Sequence, residues 1–181
     1  MNRFKFCKIF CLILSVAAAA YYPVKKIIQY EFQPSELFEF KVTGYDPYDP
    51  ARGHFLALTV QPENHPERLK NKCRYAVLQR DKDGFADIKE CIAKPDGRTC
   101  VKLTEYTRQF PFNRFYINEE LAPAADRIFF KAVNEKKTCI LLVNVFEDGA
   151  SSVRDLLIDG VSIRKLAADS CQKQYSAVQA K

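Results

Sequence analysis

A mainly β, α+β fold is what the sequence predicts: an antiparallel sheet or meander with one or two short helices, preceded by an N-terminal hydrophobic helix. Three observations lead there. The chain is rich in Phe and Tyr, at 14 and 9 residues with no Trp, and aromatic and β-branched runs favour strands. Short stretches alternate apolar and polar residues and are separated by Asp-Gly and Pro-Asp-Gly turns, which is strand-and-turn punctuation. A basic head then precedes an apolar run at the amino terminus, the pattern of a signal peptide or signal anchor.

In that first segment Arg3, Lys5 and Lys8 stand before the run from Ile9 to Val24, with no acid among the first twenty residues. As a helix this run spans about 24 Å, against roughly 30 Å of hydrocarbon in a bilayer. Retention would place Tyr21 and Tyr22 at the membrane interface, with Lys25 and Lys26 reaching the headgroups. Cleavage after Ala20 would satisfy the small-x-small rule through Ala18 and Ala20. The division expected is a signal anchor or signal peptide over 1–26 and a connector over 27–34. An exported β-rich domain follows over 35–163, with a tail over 164–181 that is helical or frayed.

Ser35 to Val42 puts Phe38, Phe40 and Val42 on one face and Leu37, Glu39 and Lys41 on the other, the pattern of a half-buried strand. Phe55 to Val60 reads as a buried strand, and Gln61 to Lys72, with two prolines and several charges, as an exposed loop. Cys73 to Arg80 alternates, and Asp81-Lys82-Asp83-Gly84 turns it into Phe85 to Cys91. Thr99 to Tyr106 returns as the next strand of a meander. Phe110 to Ile117 is aromatic and extended, with Pro111 at an edge or bend. Asn118 supplies an N-cap for a short helix toward Arg127, with Pro123 near its start, and Ile128 to Val133 is assigned to a strand. Thr138 to Phe146 is the most apolar strand; Glu147-Asp148-Gly149 turns it into Ser152 to Ile158, and Asp159-Gly160 turns again into Val161 to Ile163. Beyond Arg164, the spacing of Ala168, Cys171, Tyr175 and Val178 suggests a marginal amphipathic helix or a frayed end.

Composition narrows the function classes. The formal charge is +6, and hydrophobic residues make up 48% of the 181, which is ordinary for a folded domain. Basic and acidic residues are interspersed, as in Arg80-Asp81-Lys82-Asp83, so a solvated mixed surface is expected and no nucleic-acid partner. There is no Gly-rich phosphate loop and no zinc-finger spacing, so no cofactor or metal is expected.

Cys7 and Cys11 belong to the targeting segment, which leaves Cys73, Cys91, Cys100, Cys139 and Cys171. Export favours disulfides, and an odd number leaves a free thiol or an intermolecular bond. Cys91 and Cys100 bracket a Pro95-Asp96-Gly97 turn and are the candidate pair across a hairpin.

The most patterned stretch is Tyr45-Asp46-Pro47-Tyr48-Asp49-Pro50-Ala51-Arg52-Gly53-His54. Two Asp-Pro steps make a stiff loop, and Gly53 permits a close backbone approach. Asp46, Asp49, Arg52, Gly53 and His54 are the candidate binding residues. His54 as a general base needs a nucleophile and an orienting partner within reach. No Gly-x-Ser-x-Gly element occurs, while a serine–lysine pair leaves no spacing signature.

Through Asp46-Pro47-x-x-Pro50-x-Arg52-Gly53-His54-Phe55-Leu56-Ala57-Leu58, the chain resembles the bacterial GDYXXLXY family, named for a Gly-Asp-Tyr-x-x-Leu-x-Tyr signature. Arg114-Phe115-Tyr116-Ile117-x-Glu119 and Val153-x-x-Leu156-x-Ile158-Asp159-Gly160 resemble its two other blocks. Here His54 stands where Asp is usual, Phe55 replaces the first Tyr and Val60 the last. The resemblance implies an envelope protein with one N-terminal membrane segment and an exported β-rich domain, and carries no activity with it.

The function expected is therefore a non-catalytic, membrane-anchored domain in the periplasm that binds an envelope or membrane-protein partner. The alternatives are a periplasmic or secreted form after cleavage at Ala20, and an envelope hydrolase using His54 or a Ser/Lys pair.

Overall fold

A computed structural model of the protein describes residues 14–25, 33–44, 55–62, 73–105 and 107–179, with side chains to residue 173. The candidate binding residues Asp46, Asp49, Arg52, Gly53 and His54 lie outside the described residues, as do most of the Gln61–Lys72 loop and of the 27–34 connector. The chain forms two units, Met1–Pro34 and Ser35–Lys181.

In the first unit residues 14–25 are helical (α1), with Leu14, Val16, Tyr21, Tyr22 and Val24 exposed. Among the described residues no helix is long and apolar enough to cross a membrane.

The second unit is built on a six-stranded sheet and a three-stranded sheet, with antiparallel pairing throughout. Its strands are β1 (Ser35–Gly44), β2 (Phe55–Val60), β3 (Tyr75–Arg80), β4 (Ala86–Ile92), β5 (Cys100–Lys102), β6 (Arg114–Tyr116), β7 (Cys139–Phe146), β8 (Ser151–Ile158) and β9 (Val161–Ser162). Two helices accompany them, α2 (Ala122–Asn134) and α3 (Ile163–Gln179). The large sheet runs β6-β2-β1-β7-β8-β9 and the small one β4-β3-β5.

Register explains the core. Phe38 pairs with Val143, Phe40 with Leu141, Leu141 with Leu156 and Cys139 with Ile158, so one face of the large sheet is continuous apolar surface. Both helices and the small sheet bury their apolar residues in the same cluster as that face. The aromatic block is core: Phe110 and Phe112 stack with centroids 5.1 Å apart, and Phe40 lies 5.2 and 4.9 Å from them.

Polar contacts fasten the small sheet to β1. Glu36 accepts from Arg80 at 2.8 Å through one oxygen and from Thr99 at 3.0 Å through the other. The Arg80 guanidinium also lies 4.8 Å from the Phe38 ring.

Four expectations are corrected. The central strands are not a meander, because β5 pairs with the far edge of β3 and not with β4. Ala76, Val77 and Leu78 are all buried, which suits β3 to the middle position, and residues 93–99 carry the chain across it. The Cys91–Cys100 pair falls with the meander. Cys91 lies opposite Ala76 on one side of β3 and Cys100 opposite Val77 on the other. Two strand spacings amount to about 9–10 Å, beyond disulfide reach. Cys91 instead bonds Cys73, with Cα atoms 5.0 Å apart, and Cys100 is free and buried.

The remaining two corrections concern the helices. Ile128 to Val133 is the second half of α2, not a strand. Ala122, Ala125, Phe129 and Ala132 fall on one buried face, and a short apolar run alone does not separate strand from helix. Leu121, not Asn118, occupies the N-cap of α2. Asn118 closes the preceding turn, its Oδ1 accepting from the Glu120 N–H at 3.2 Å. The tail is a full helix whose start is anchored by buried Ile163 and Ala167.

Two glycines are fixed by packing. A Cβ on Gly44 would meet Phe129 of α2 at 3.2 Å. Gly149, in the β7–β8 turn, has φ +81°, and a Cβ there would meet the Tyr75 ring at 2.9 Å. Its carbonyl accepts from the Lys102 N–H at 2.8 Å, so this turn joins the two sheets. Gly149→Ala is expected to cost about 2 kcal/mol, from left-handed backbone strain and the ring clash together. Urea unfolding checks this; a loss below about 0.5 kcal/mol would show that Tyr75 swings aside freely.

Candidate functional site

None of the sequence-predicted binding residues is among those described, but Phe55 immediately follows them and pairs with Tyr116 of β6. That pairing leads to the site. In the large sheet β6 is a terminal strand and pairs with β2 alone. On the opposite side β9 covers β8 only at Leu157 and Ile158. The outer margins of β6 and of β8 from Ser151 to Asp155 therefore have no strand partner among the described residues. The sheet curls so far that β6 and β8 come within 8 Å at the Cα level without a ladder between them.

Between them lies a cleft of about 490 Å³ lined by residues 111–116, Ser151, Ser152, Val153 and Arg164. Arg164, from the first turn of α3, spans it. Its Nη1 donates to the Arg154 carbonyl and to Asp155 Oδ1, both at 3.1 Å. The same guanidinium sits 4.5 Å from the ring centre of buried Phe115. A β-bulge opposite Leu142 and Val143 displaces this part of β8, and bulges free backbone groups from the ladder. The Arg154 carbonyl thus receives a side-chain donor in place of a strand.

On the other margin Arg114 lies 4.9 Å over the Phe55 ring and makes no ion pair among the described residues. Phe55 and Tyr116 stand 5.9 Å apart, and Tyr116 is 59% exposed, a large aromatic left to solvent.

Among the described residues, the side chains lining this cleft offer guanidinium, phenol, hydroxyl and amide groups, and no carboxylate, imidazole, amine or thiol. Guanidinium is protonated at any working pH and cannot act as a base. Among the described lining residues no group is available to deprotonate Ser151 or Ser152. The arrangement is suited to holding hydrogen-bond acceptors, anionic ones above all.

Other reactive groups are structural. Arg98 pairs with Asp96 and with Glu90, fastening the 93–99 loop to β4. The Arg98 guanidinium holds the Asp96 carboxyl below its usual range, and the two acids raise the arginine in turn. Burial pushes the Cys100 and Cys139 thiols up, which makes them poor nucleophiles. Among the described residues no three His, Cys, Asp or Glu side chains gather as a metal site.

Sequence reasoning quoted Arg114, Tyr116 and Val153 only as parts of patterned blocks and assigned Arg164 to a tail. The unpaired margins had no local signal, because pairing order is set by distant segments. No family model, curated protein or solved structure matches the chain.

Proposed function

We propose that the protein is an exported, membrane-anchored, non-catalytic module that binds an envelope or membrane-protein partner through the cleft between β6 and β8. The observation that carries this reading is a donor-rich cleft between two strand margins that have no strand partner among the described residues. Strand margins left open are sites of association unless blocked, and an exposed aromatic beside a guanidinium is a favoured anchor in protein interfaces.

Export is supported by the Cys73–Cys91 disulfide, since such bonds persist in oxidising compartments. The anchor reading rests on the basic head and apolar run of the first 24 residues, within which residues 14–25 are helical with exposed apolar side chains. The same reading places the chain near the GDYXXLXY family. Described residues from each of the three blocks behind that resemblance lie near one another: Phe55 and Leu56 pair with Tyr116 and Phe115 in adjacent strands, and Val153 lines the far wall of the cleft. The hydrolase alternative turns on His54, which lies outside the described residues, or on a Ser/Lys pair, and the described lining of this cleft supplies no base.

A photo-crosslinking residue at position 116 in intact envelopes is expected to give a heteromeric adduct whose yield falls when Arg114→Glu is added. Recovery of monomer alone would count decisively against the reading.

A further inference from the structure

The β8 margin at the cleft is an acceptor-and-donor row without a strand. Its Arg154 carbonyl is satisfied by Arg164, while the β9 ladder begins only at Leu157. Backbone groups at Ser151 to Val153 on that side have no strand partner among the described residues. Across the cleft stand Arg114, with no acid partner among the described residues, and exposed Tyr116. Among the described residues no acidic side chain lines the space, although acids and bases are interspersed over the chain. The free margin specifies extended backbone; the guanidinium pair specifies negative charge.

We infer that the cleft takes an extended, carboxylate-bearing peptide segment of the partner, which adds as a strand to the Ser151–Val153 margin of β8 and sets an Asp or Glu against Arg114. This inference rests on the partner-binding reading above and names the partner's chemistry. Backbone pairing supplies sequence-tolerant hydrogen bonds. One side-chain position of the peptide faces Arg114, which can grip a carboxylate through two parallel N–H donors. Tyr116 and Phe55 flank that position with apolar surface. Arg164 is already tied to Asp155, so it shapes the margin, while Arg114 is the arginine that exchanges solvent for ligand.

The test uses the full chain in mild detergent under non-reducing conditions, with a displayed library of random decapeptides as probe. Enriched peptides are expected to carry an Asp or Glu within an alternating apolar pattern. Arg114→Glu should weaken a synthetic enriched peptide at least tenfold, while Arg127→Glu, on the exposed side of α2, leaves it unchanged. Amide exchange should slow at 151–153, and N-methylation of the peptide should abolish binding at alternate positions only, as one-sided strand pairing requires.

Enrichment without acidic bias, equal tolerance of N-methylation at every position, or slowed exchange elsewhere would overturn the inference. So would Arg114-dependent binding of phosphatidylglycerol vesicles with no peptide enriched. Heteromeric crosslinks from position 116 without any enriched peptide would sink strand addition and leave partner binding standing. Absence of both would remove the two together.

Discussion

Phe40→Ala is expected to destabilise the protein by about 3–5 kcal/mol, the largest effect of any single core truncation here. Phe40 is 0% exposed at the centre of β1, paired in register with Leu141 and packed on both Phe110 and Phe112. Its removal leaves a cavity bordered by three different chain segments, and such a void collapses poorly. It also takes away two aromatic contacts worth about 0.5–1.5 kcal/mol each beyond area burial. With total stability in the usual range of about 5–15 kcal/mol, a large part of the folding free energy goes. Urea unfolding of the full chain measures this, with Phe40→Leu, which keeps more of the apolar volume, as the control expected to lose clearly less than the alanine variant. A drop under about 1 kcal/mol for the alanine variant would mean that Phe110 and Phe112 refill the space, and that the core is not organised around this ring.

What the sequence disclosed was whatever is decided locally. The β1 alternation from Ser35 and the β2 run Phe55 to Val60 were readable because a half-buried strand imprints a period of two. The β3–β4 turn was readable because Asp81 Oδ1 accepts from the Asp83 and Phe85 N–H groups at 2.9 and 2.8 Å, which is why Asp marks such turns. Failures came wherever a distant partner chose the outcome. Ile128 to Val133 is apolar enough for a strand, and it is helix because Phe129 and Ala132 continue the buried face begun by Ala122 and Ala125. Cys91 has a sequence neighbour at Cys100 that suits a hairpin, yet the β4-β3-β5 order puts β3 between them. The cleft was hidden for the same reason. Arg114 and Arg164 are 50 positions apart in a 181-residue chain, and only curling of the sheet brings them to one opening.

The same curling explains why the cleft belongs to the fold rather than to a surface loop. Arg164 opens α3 next to fully buried Ile163, so its backbone is held by the core while its guanidinium reaches Asp155, Arg154 and the Phe115 ring. Phe115 is itself buried between Leu56 and that guanidinium. A recognition surface gains from such preorganisation, because rigid groups lose little freedom on binding.

Removing the disulfide is the second large expected effect. Cys73→Ser with Cys91→Ser should cost about 3 kcal/mol, from the entropy returned to an unfolded chain in which a loop of this length is no longer closed; the two cysteines are 18 positions apart. For a domain of this size that corresponds to a fall in Tm of roughly 6–12 °C. The bond encloses β3 and nearly all of β4, so the loss concentrates in the small sheet. That sheet reaches β1 through Arg80 and Thr99 on Glu36 and the β7–β8 turn through Lys102 on Gly149. Loosening it should therefore raise amide exchange at Lys102 before it does so at β7, whose register is held by β1 and β8. Tryptic mapping of the non-reduced protein checks the pairing itself, since cleavage after Arg98 separates Cys91 from Cys100. The linked peptide should contain Cys73 and Cys91, with Cys100 alkylated only after denaturation. Cys100 found in the crosslink would place β5 beside β4, and the β4-β3-β5 order would then be wrong.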